Sequence, residues 1–306
     1  MKVLFAGSPE SSAKILNSLH SERFEIVGVI SQPDKRSRRG KGKESSAVAK
    51  ESLRLGIPTL KPALLDESIK KEVESLSYDF LLVSAYGKIL PDWLLDSPKI
   101  AAVNIHFSLL PKYRGASPIQ TAILNNDKKT GISIMKMTQG MDEGPIYCSH
   151  EIDILDSENK SDLEKKLTSL CIKNLTADLQ NIFNNELIAN EQNHAEACYC
   201  TKINKLSGKV DFDIENTSDI IQKYKAFIGW PGLYFEKNNV KIKIHGLHEY
   251  EGNLGDLKKN EFRFISNGLV VKTINSAIVI THIQFPGKRI IPAGDAANSY
   301  AKFFEE

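Results

Sequence analysis

The feature that most constrains the fold is the alternation of short apolar runs with helical stretches in the first half of the chain. The apolar runs cover residues 2–6, 24–31, 79–85, 100–106 and 131–137. Strands that are apolar along their whole length are typical of sheets buried on both faces, and helices between such strands cross over to the next parallel strand. This pattern predicts an α/β fold with a mostly parallel, doubly wound sheet that carries helices on both faces.

The second half of the chain has a different pattern. Short strand-like runs stand at residues 233–237, 240–247, 261–273 and 277–285. An Asn-Gly pair at 267–268 favours a tight hairpin, so we expect a small, mostly antiparallel β-barrel. Because the stretch before it is polar and weakly periodic, we predict two domains, residues 1–190 and 208–306, joined by a linker over residues 191–207.

The composition is that of an ordinary globular protein. The 306 residues are 41% hydrophobic and 25% charged, and the net charge of +2 singles out neither a nucleic acid nor a membrane as partner. The apolar run before Gly7 is too short for a signal peptide, and no apolar run approaches membrane-spanning length, so we expect a cytoplasmic protein. The cysteines lack zinc-ligand spacing, so we expect reduced thiols and no metal site at Cys148, Cys171, Cys198 and Cys200.

One apolar run ends on two polar residues. Asn104 and His106 are two positions apart in the run over residues 100–106, so both side chains project from one face of the strand. In open parallel sheets the ligand crevice lies outside the carboxyl ends of the strands. A histidine there can act as general acid, general base or cationic stabiliser, and an asparagine amide can donate to a developing oxyanion. Since a single histidine at a strand end is more often a structural group, this hypothesis needs a third residue.

The third residue follows the fifth apolar run. Asp142 lies in the loop after this run, between Gly140 and Gly144, which allow the backbone to turn tightly. An aspartate beside a histidine orients the imidazole ring and favours its protonated form. Asn104, His106 and Asp142 at neighbouring crevice loops would suit acyl transfer through a tetrahedral intermediate. Because no serine or cysteine stands at a nucleophile elbow, a substrate amine would attack directly.

A dense basic segment follows the second apolar run, at an expected strand-to-helix loop. Its six cations lie within nine positions and are Lys35, Arg36, Arg38, Arg39, Lys41 and Lys43. A short run of like charge is usually a solvated surface loop. Its place at the same edge of the sheet as Asn104 and His106 favours the alternative, in which these cations reach RNA phosphates.

Several motifs together resemble those of a known family. The stretch "NIHFSLLPKYRGASPIQTAIL" (104–124), followed by "GMDEGPI" (140–146), resembles the signature of the formyltetrahydrofolate-dependent formyltransferases. Within that family, nearly the whole chain resembles the members that act on methionyl-tRNA. The further motifs that carry this resemblance are the basic segment, "VLFAGSPE" (3–10), "VSAYGKILP" (83–91), "CTKINKLSGKVDFD" (200–213), "AFIGWPG" (226–232) and "QFPGKRIIPAGDAANSY" (284–300).

The resemblance implies both an activity and an architecture. It implies transfer of the formyl group of 10-formyltetrahydrofolate to the α-amine of methionyl initiator tRNA, in translation initiation. It also implies a Rossmann-like catalytic domain and an OB-like C-terminal domain that contacts tRNA. We expect a monomer that uses no metal.

The resemblance also implies roles for individual residues. Asn104, His106 and Asp142 match the family's catalytic residues, and the basic segment matches its tRNA-binding loop. One position departs from the family, because Phe107 stands where a small residue is common. Since strand alternation turns Phe107 away from the catalytic face, we expect altered packing and unchanged chemistry. The positions that match folate-binding segments are Tyr86, Gly87, Ile89, Leu90, Ser108, Leu109, Leu110 and Pro111.

Three other interpretations stay open. A formyltransferase that acts on a sugar-nucleotide amine would carry the same three catalytic residues but would not need the basic segment. A nucleic-acid-binding module without catalysis would explain the basic segment and leave those three residues unexplained. A nicotinamide-dependent enzyme is disfavoured, because "AGSPESSA" (6–13) has a single glycine where a G-x-G-x-x-G fingerprint would stand.

Overall fold

The structure is a computed structural model that describes residues 1–36, 42–253, 255, 257–259 and 261–305. No helix among these residues is both long enough and apolar enough to cross a membrane. The chain forms two compact units. The first comprises Met1–Pro118, Lys128–Leu155 and Asp162–Thr201, and the second comprises Ile119–Asp127, Asp156–Ser161 and Lys202–Glu306.

The strands and the helices are each numbered in chain order. The strands are β1 (Lys2–Gly7), β2 (Glu25–Ile30), β3 (Lys35–Arg36), β4 (Lys43–Glu44), β5 (Thr59–Leu60), β6 (Phe80–Ser84), β7 (Ala101–His106), β8 (Arg114–Gly115), β9 (Lys129–Lys136), β10 (Ile146–Asp153), β11 (Tyr199–Cys200), β12 (Leu233–Lys237), β13 (Val240–Glu249), β14 (Phe262–Ile265), β15 (Gly268–Lys272), β16 (Ala277–Gln284) and β17 (Ile291–Pro292). The helices are α1 (Glu10–Ser21), α2 (Ala47–Arg54), α3 (Glu67–Glu74), α4 (Asp92–Leu95), α5 (Pro118–Leu124), α6 (Lys160–Phe183), α7 (Thr217–Ala226) and α8 (Ala297–Glu305).

The first unit is built on a seven-stranded sheet with the strand order β10-β9-β7-β6-β1-β2-β5. Strands β1, β2, β5, β6 and β7 are mutually parallel. β6, at the centre of the sheet, is buried along its whole length. The predicted α/β fold with a mostly parallel sheet is confirmed.

One strand of this sheet, β9, runs opposite to both of its neighbours. β9 is antiparallel to β7, so Lys136 at the end of β9 pairs with Val103 near the start of β7, and Ser133 pairs with His106. β9 is thus an antiparallel strand within a mostly parallel sheet. The loop after β9 reaches the site by turning back towards β7, and β10 then continues antiparallel to β9. Strand β10 lies at the sheet edge and alternates between exposed and half-buried residues.

Side-chain caps fix where two helices of the first unit begin. The Ser46 hydroxyl accepts a hydrogen bond of 3.0 Å from the Ala49 amide at the start of α2. The Asp66 carboxylate accepts from the Ser68 amide at 3.1 Å at the start of α3. Each cap supplies a partner for a helix N-terminal amide that has none within the helix, and this fixes the length of the preceding loop.

The second unit contains an antiparallel sheet in the order β12-β13-β16-β15-β14, with β17 paired to β16. The rings of Phe235 in β12 and Phe262 in β14 stack at a centroid distance of 5.5 Å, so the two end strands of the sheet curve towards one another. Phe304 of α8 lies 5.3 Å from Phe262 and closes the apolar interior. The predicted C-terminal antiparallel β domain is confirmed, and it also carries α7 before its strands and α8 after them.

Candidate active site

Asp142 is the centre of the cluster of polar residues at β7. Its Oδ1 accepts a hydrogen bond of 3.3 Å from Nδ2 of Asn104, and its Oδ2 lies 3.6 Å from Nδ1 of His106. The Oδ2 atom also accepts a hydrogen bond of 2.8 Å from the backbone amide of Gly115. The structure therefore brings together the three residues that the sequence singled out.

The protonation pattern of His106 follows from its second partner. Nε2 lies 2.9 Å from the carbonyl oxygen of Tyr113. Because a carbonyl oxygen can only accept, Nε2 carries a hydrogen and donates it. Nδ1 is the ring nitrogen that faces Asp142. The His106 residue is only 6% exposed, so its ring is held in one orientation.

The backbone around the site takes unusual conformations. Asp142 and Tyr113 have φ angles of 54° and 60°, a region that residues other than glycine seldom occupy. The tight turn at Asp142 is therefore made by Asp142 itself. Gly144 serves a different need, because a Cβ there would stand 1.9 Å from the carbonyl oxygen of Lys136. Gly115 has a φ of 116°, and a Cβ on it would stand 2.4 Å from the carbonyl oxygen of Cys200.

The eight positions expected at the folate lie in two loops that follow the adjacent parallel strands β6 and β7. They therefore meet at one edge of the sheet, but their side chains differ in exposure. Ile89 is 89% exposed. Gly87 is also exposed, while Leu109 and Pro111 are half-buried. The side chains that are buried within the protein are those of Tyr86, Leu90, Ser108 and Leu110.

One buried group in these loops lacks a hydrogen-bond partner. The Tyr86 hydroxyl is buried and unpaired among the described residues, and desolvation by burial raises the pKa of this phenol. The Tyr86 carbonyl, in contrast, accepts a hydrogen bond of 2.9 Å from Nε2 of Gln32. An unpaired buried hydroxyl is costly, and a polar ligand that reached it would relieve that cost. The loop thus fits a ligand with both apolar and hydrogen-bonding parts.

The basic segment begins as a short hairpin. Lys35 and Arg36 form β3, which pairs antiparallel with β4, and these two residues and Lys43 are exposed. The remaining predicted tRNA-binding residues, Arg38, Arg39 and Lys41, lie outside the described residues. Because β2 is parallel to β1, β6 and β7, the hairpin leaves the sheet at the same edge as His106.

In the described ranges, one group of side chains could together hold a metal ion: Cys148, His150 and Asp178, whose ligand atoms lie within 4.8 Å of one another. Nε2 of His150 lies 2.8 Å from Oδ2 of Asp178 and 3.9 Å from Sγ of Cys148. The first distance is that of a hydrogen bond, whereas nitrogen and oxygen ligands of a tetrahedral zinc stand about 3.3 Å apart. The group is therefore a hydrogen-bonded pair beside a thiol. Burial and the charge of Asp178 raise the pKa of the Cys148 thiol to about 12.

The sequence pattern did not predict that residues 191–201 pack against the loops of the site. Part of the predicted linker belongs to the first unit, which extends to Thr201. Within it, β11 pairs in parallel with β8, and Gln192 is buried against the loop that carries Asp142. The stretch has neither strand nor helix periodicity, so its residue pattern held no signal that it would be buried.

The chain was compared with protein families and with known proteins. Residues 1–177 match the family model described as formyl transferase, and residues 202–301 match that of the formyl transferase C-terminal domain. A methionyl-tRNA formyltransferase of Sulfurihydrogenibium sp. is 35% identical over 306 residues, which cover 98% of this chain and 97% of that protein. A methionyl-tRNA formyltransferase of Kosmotoga olearia is 35% identical over 298 residues, which cover 97% of this chain and 96% of that protein.

Solved structures share the fold at lower identity. The crystal structure of the N-formyltransferase from Helicobacter canadensis, in complex with folinic acid and dTDP-3-aminofucose, matches with a TM-score of 0.68 and 21% identity. The match covers 92% of this chain and 98% of that one. At this identity, the likeness shows that the two proteins have the same fold.

Proposed function

Because this chain belongs to the formyl transferase family and is an enzyme of formyl transfer, we propose that it moves the formyl group of 10-formyltetrahydrofolate to the α-amine of methionyl initiator tRNA, in translation initiation. The observation that carries the proposal is the likeness to methionyl-tRNA formyltransferases along nearly the whole of both chains. The cluster of Asn104, His106 and Asp142 supports it chemically, because an amide nitrogen and a ring nitrogen lie 3.3 and 3.6 Å from the oxygens of one carboxylate.

In this proposal Asn104 and His106 stabilise the oxyanion that develops when the unprotonated α-amine adds to the formyl carbon. His106 acts in its protonated form, which has a hydrogen on both ring nitrogens. Nε2 donates to the Tyr113 carbonyl, and Nδ1, which faces Asp142, is the proposed donor to the oxyanion. Both donors belong to β7 and stand two residues apart, so a rigid strand sets the distance between them. Donors that are fixed before the reaction stabilise developing charge without reorganising.

Asp142 has two tasks in the proposed reaction. It holds the side chains of Asn104 and His106, and it helps to move the proton lost by the amine, through water, to the departing N10. Its carboxylate is partly exposed, with 17% of the side chain accessible, so water can reach it. The Gly115 amide keeps Oδ2 in place at 2.8 Å.

The folate donor is proposed to lie against the loops that follow β6 and β7. Exposed Ile89 and half-buried Leu109 and Pro111 offer an apolar wall, while buried Ser108 and Leu110 shape the loop behind it. Tyr86, which is buried in the hydrophobic core, is proposed to support this wall from within. The donor supplies the formyl group, and the residues named here bind and orient it.

The acceptor tRNA is proposed to contact the basic segment and the second domain. The segment leaves the sheet at the same edge as His106, so its cations can reach an acceptor end whose amine lies at the catalytic cluster. We propose that residues 1–190, together with the first part of the predicted linker up to Thr201, carry catalysis. We also propose that residues 208–306 form an OB-like domain that contacts tRNA. We further propose that the protein acts as a monomer in the cytoplasm.

One assay tests the function. Purified protein is mixed with 10-formyltetrahydrofolate and methionyl-tRNA, and acid-stable formyl-methionine is measured. A parallel reaction replaces methionyl-tRNA with an amino-sugar nucleotide. This nucleotide is the acceptor of the alternative formyltransferase, which would carry the same three catalytic residues. Formylation of the sugar amine without formylation of methionyl-tRNA would reject the proposed acceptor and keep the proposed chemistry.

A further inference from the structure

The clasp segment, residues 190–201, lies outside both family-model matches, which end at residue 177 and resume at residue 202. At its start, Asn190 exchanges backbone hydrogen bonds of 2.8 and 2.9 Å with Ile146, the first residue of β10. At its end, β11 pairs with β8 in the loop that follows β7. The clasp segment therefore contacts the loop of Asp142 on one side and the loop of His106 on the other.

Gln192 uses its whole amide to join these loops. Its Nε2 donates to the carbonyl oxygens of Asp142 at 2.8 Å and of Gly144 at 2.7 Å. Its Oε1 accepts from Nε of Arg114 at 3.0 Å and from Nη2 of Arg114 at 2.8 Å. The amide can adopt only this orientation, since carbonyls only accept and a guanidinium only donates. Gln192 is 5% exposed, so water does not replace these bonds.

Arg114 is the anchor to which Gln192 is tied. The residue is fully buried, at 0% exposure. Its Nη1 donates to the Tyr199 hydroxyl at 3.2 Å and to Nδ1 of His194 at 3.3 Å, and it lies 3.7 Å from a Glu143 carboxylate oxygen. A buried guanidinium is costly unless its donors are paired, so this position is strongly determined. Because Arg114 is held in one position, its two hydrogen bonds hold the Gln192 amide in one position as well.

The clasp segment also holds the partner of His106. The Cys198 carbonyl accepts from the Arg114 amide at 2.9 Å, and Cys198 Sγ accepts from the Tyr113 amide at 3.3 Å. The Tyr113 carbonyl is the group that orients His106. The clasp segment thus holds the backbone of two loops, the loop that orients His106 and the loop that carries Asp142.

We propose that Gln192, anchored by Arg114, is a positioning residue that sets where the Asp142 carboxylate lies. It acts on the backbone of Asp142 and Gly144, so its loss would shift the carboxylate away from Asn104 and Gly115. A displacement of a reacting group by about 1 Å can cost on the order of 100-fold in rate. This inference rests on the proposed function for its kinetic readout, and its structural readout is independent of the substrate.

The decisive variant is Gln192→Glu. The carboxylate keeps both bonds from Arg114 and gains an ionic attraction to it, so the protein should fold with a melting temperature close to that of the wild type. The introduced carboxylate has no N–H groups to donate to the carbonyls of Asp142 and Gly144, and its negative charge repels their oxygens. We expect kcat to fall at least 10-fold, with KM for both substrates changed by less than about 3-fold.

The structural readout is amide hydrogen exchange. The Gly115 amide, which donates to Asp142, and the amides of residues 137–144 should exchange faster in Gln192→Glu, while those of central strand β6 should be unchanged. The matched control is Gln180→Glu, the same replacement at an exposed position of α6, which should keep wild-type kcat and exchange. Gln192→Met, similar in volume and unable to bond either loop, serves as a second variant if Gln192→Glu does not fold.

The possible outcomes separate the two proposals. Faster exchange at Gly115 together with the fall in kcat supports positioning by Gln192. Wild-type kcat in a folded Gln192 variant, or a fall in kcat without faster exchange, overturns it. If the wild-type protein does not formylate methionyl-tRNA, the proposed function fails, and the exchange experiment still decides whether Gln192 holds the Asp142 loop.

Discussion

The backbone amide of Gly115 donates a hydrogen bond of 2.8 Å to Oδ2 of Asp142, so the loop that follows β7 holds the carboxylate contributed by the loop after β9. Two loops that are 27 residues apart in the chain thereby form one site. The geometry of this contact depends on the positive φ of Gly115, which places its amide and leaves no room for a side chain. The position of the Asp142 carboxylate is therefore sensitive to groups outside the three proposed catalytic residues.

Gly115→Ala should lower both stability and turnover. An alanine at a φ of 116° is strained, and its Cβ would meet the Cys200 carbonyl at 2.4 Å. We expect the free energy of unfolding to fall by about 1–3 kcal/mol, measured by urea denaturation, and kcat to fall because the amide moves away from Asp142. The matched control is Gly42→Ala, since a Cβ at Gly42 meets nothing within 4 Å. Equal stability of the two variants would contradict this account of Gly115.

His106→Ala and Asn104→Ala should each lower kcat by about 10²–10³, the usual loss when one oxyanion donor is removed. Single-turnover formylation of methionyl-tRNA at saturating folate is the measurement. His20→Ala, which changes an exposed histidine of α1, should keep wild-type turnover. Near-normal turnover by a correctly folded His106→Ala protein would remove His106 from the proposed mechanism.

Neutralising the basic segment should weaken tRNA binding without affecting the folate. Replacing Arg36, Arg38 and Arg39 together by Gln should raise KM for tRNA and flatten the dependence of log K on log salt, which has a slope of about −0.7 to −0.9 per phosphate contact. The control replaces the exposed lysines Lys14, Lys71 and Lys173 by Gln and so removes the same charge elsewhere. An unchanged salt slope in the arginine variant would exclude the segment from the interface.

The Cys148 thiol should make the protein less stable at high pH. Its pKa is raised from 9.0 to about 12, because burial and the charge of Asp178 disfavour the thiolate. Between these values the unfolded chain loses a proton that the folded chain keeps, so the unfolding free energy falls as pH rises. Cys148→Ser should reduce the steepness of this fall between pH 9 and pH 12. Denaturation of both proteins at pH 7, where the thiol is protonated in both states, gives the packing effect of the replacement, and identical slopes above pH 9 would contradict the prediction.

The sequence was most informative where one local rule decided the geometry. Asn104 and His106 share a strand face because side chains alternate along a strand, and this holds whatever the neighbouring strands do. The central sheet could likewise be predicted from its apolar runs, since strands buried on both faces need helices to cover them.

The sequence was least informative where long-range contacts decide the structure. The direction of β9 depends on the loop before it, and an apolar strand has the same pattern in either direction, so its antiparallel pairing could not be seen. Gln192 was placed in a linker because its neighbours are polar. Its burial comes from pairing with Arg114 and two backbone carbonyls, which are far away in the sequence.

The clasp segment has a consequence for dividing the protein into parts. A chain cut at residue 177, where the first family match ends, would retain Asn104, His106 and Asp142 but would lose the Gln192 acceptor for the Arg114 guanidinium. The Arg114 charge would then be buried without this acceptor, and water would enter between the loops to solvate it. We therefore expect the truncated protein to be poorly ordered and inactive. Fusion, splitting or domain exchange in this enzyme should therefore join the parts after Thr201, where the first compact unit ends.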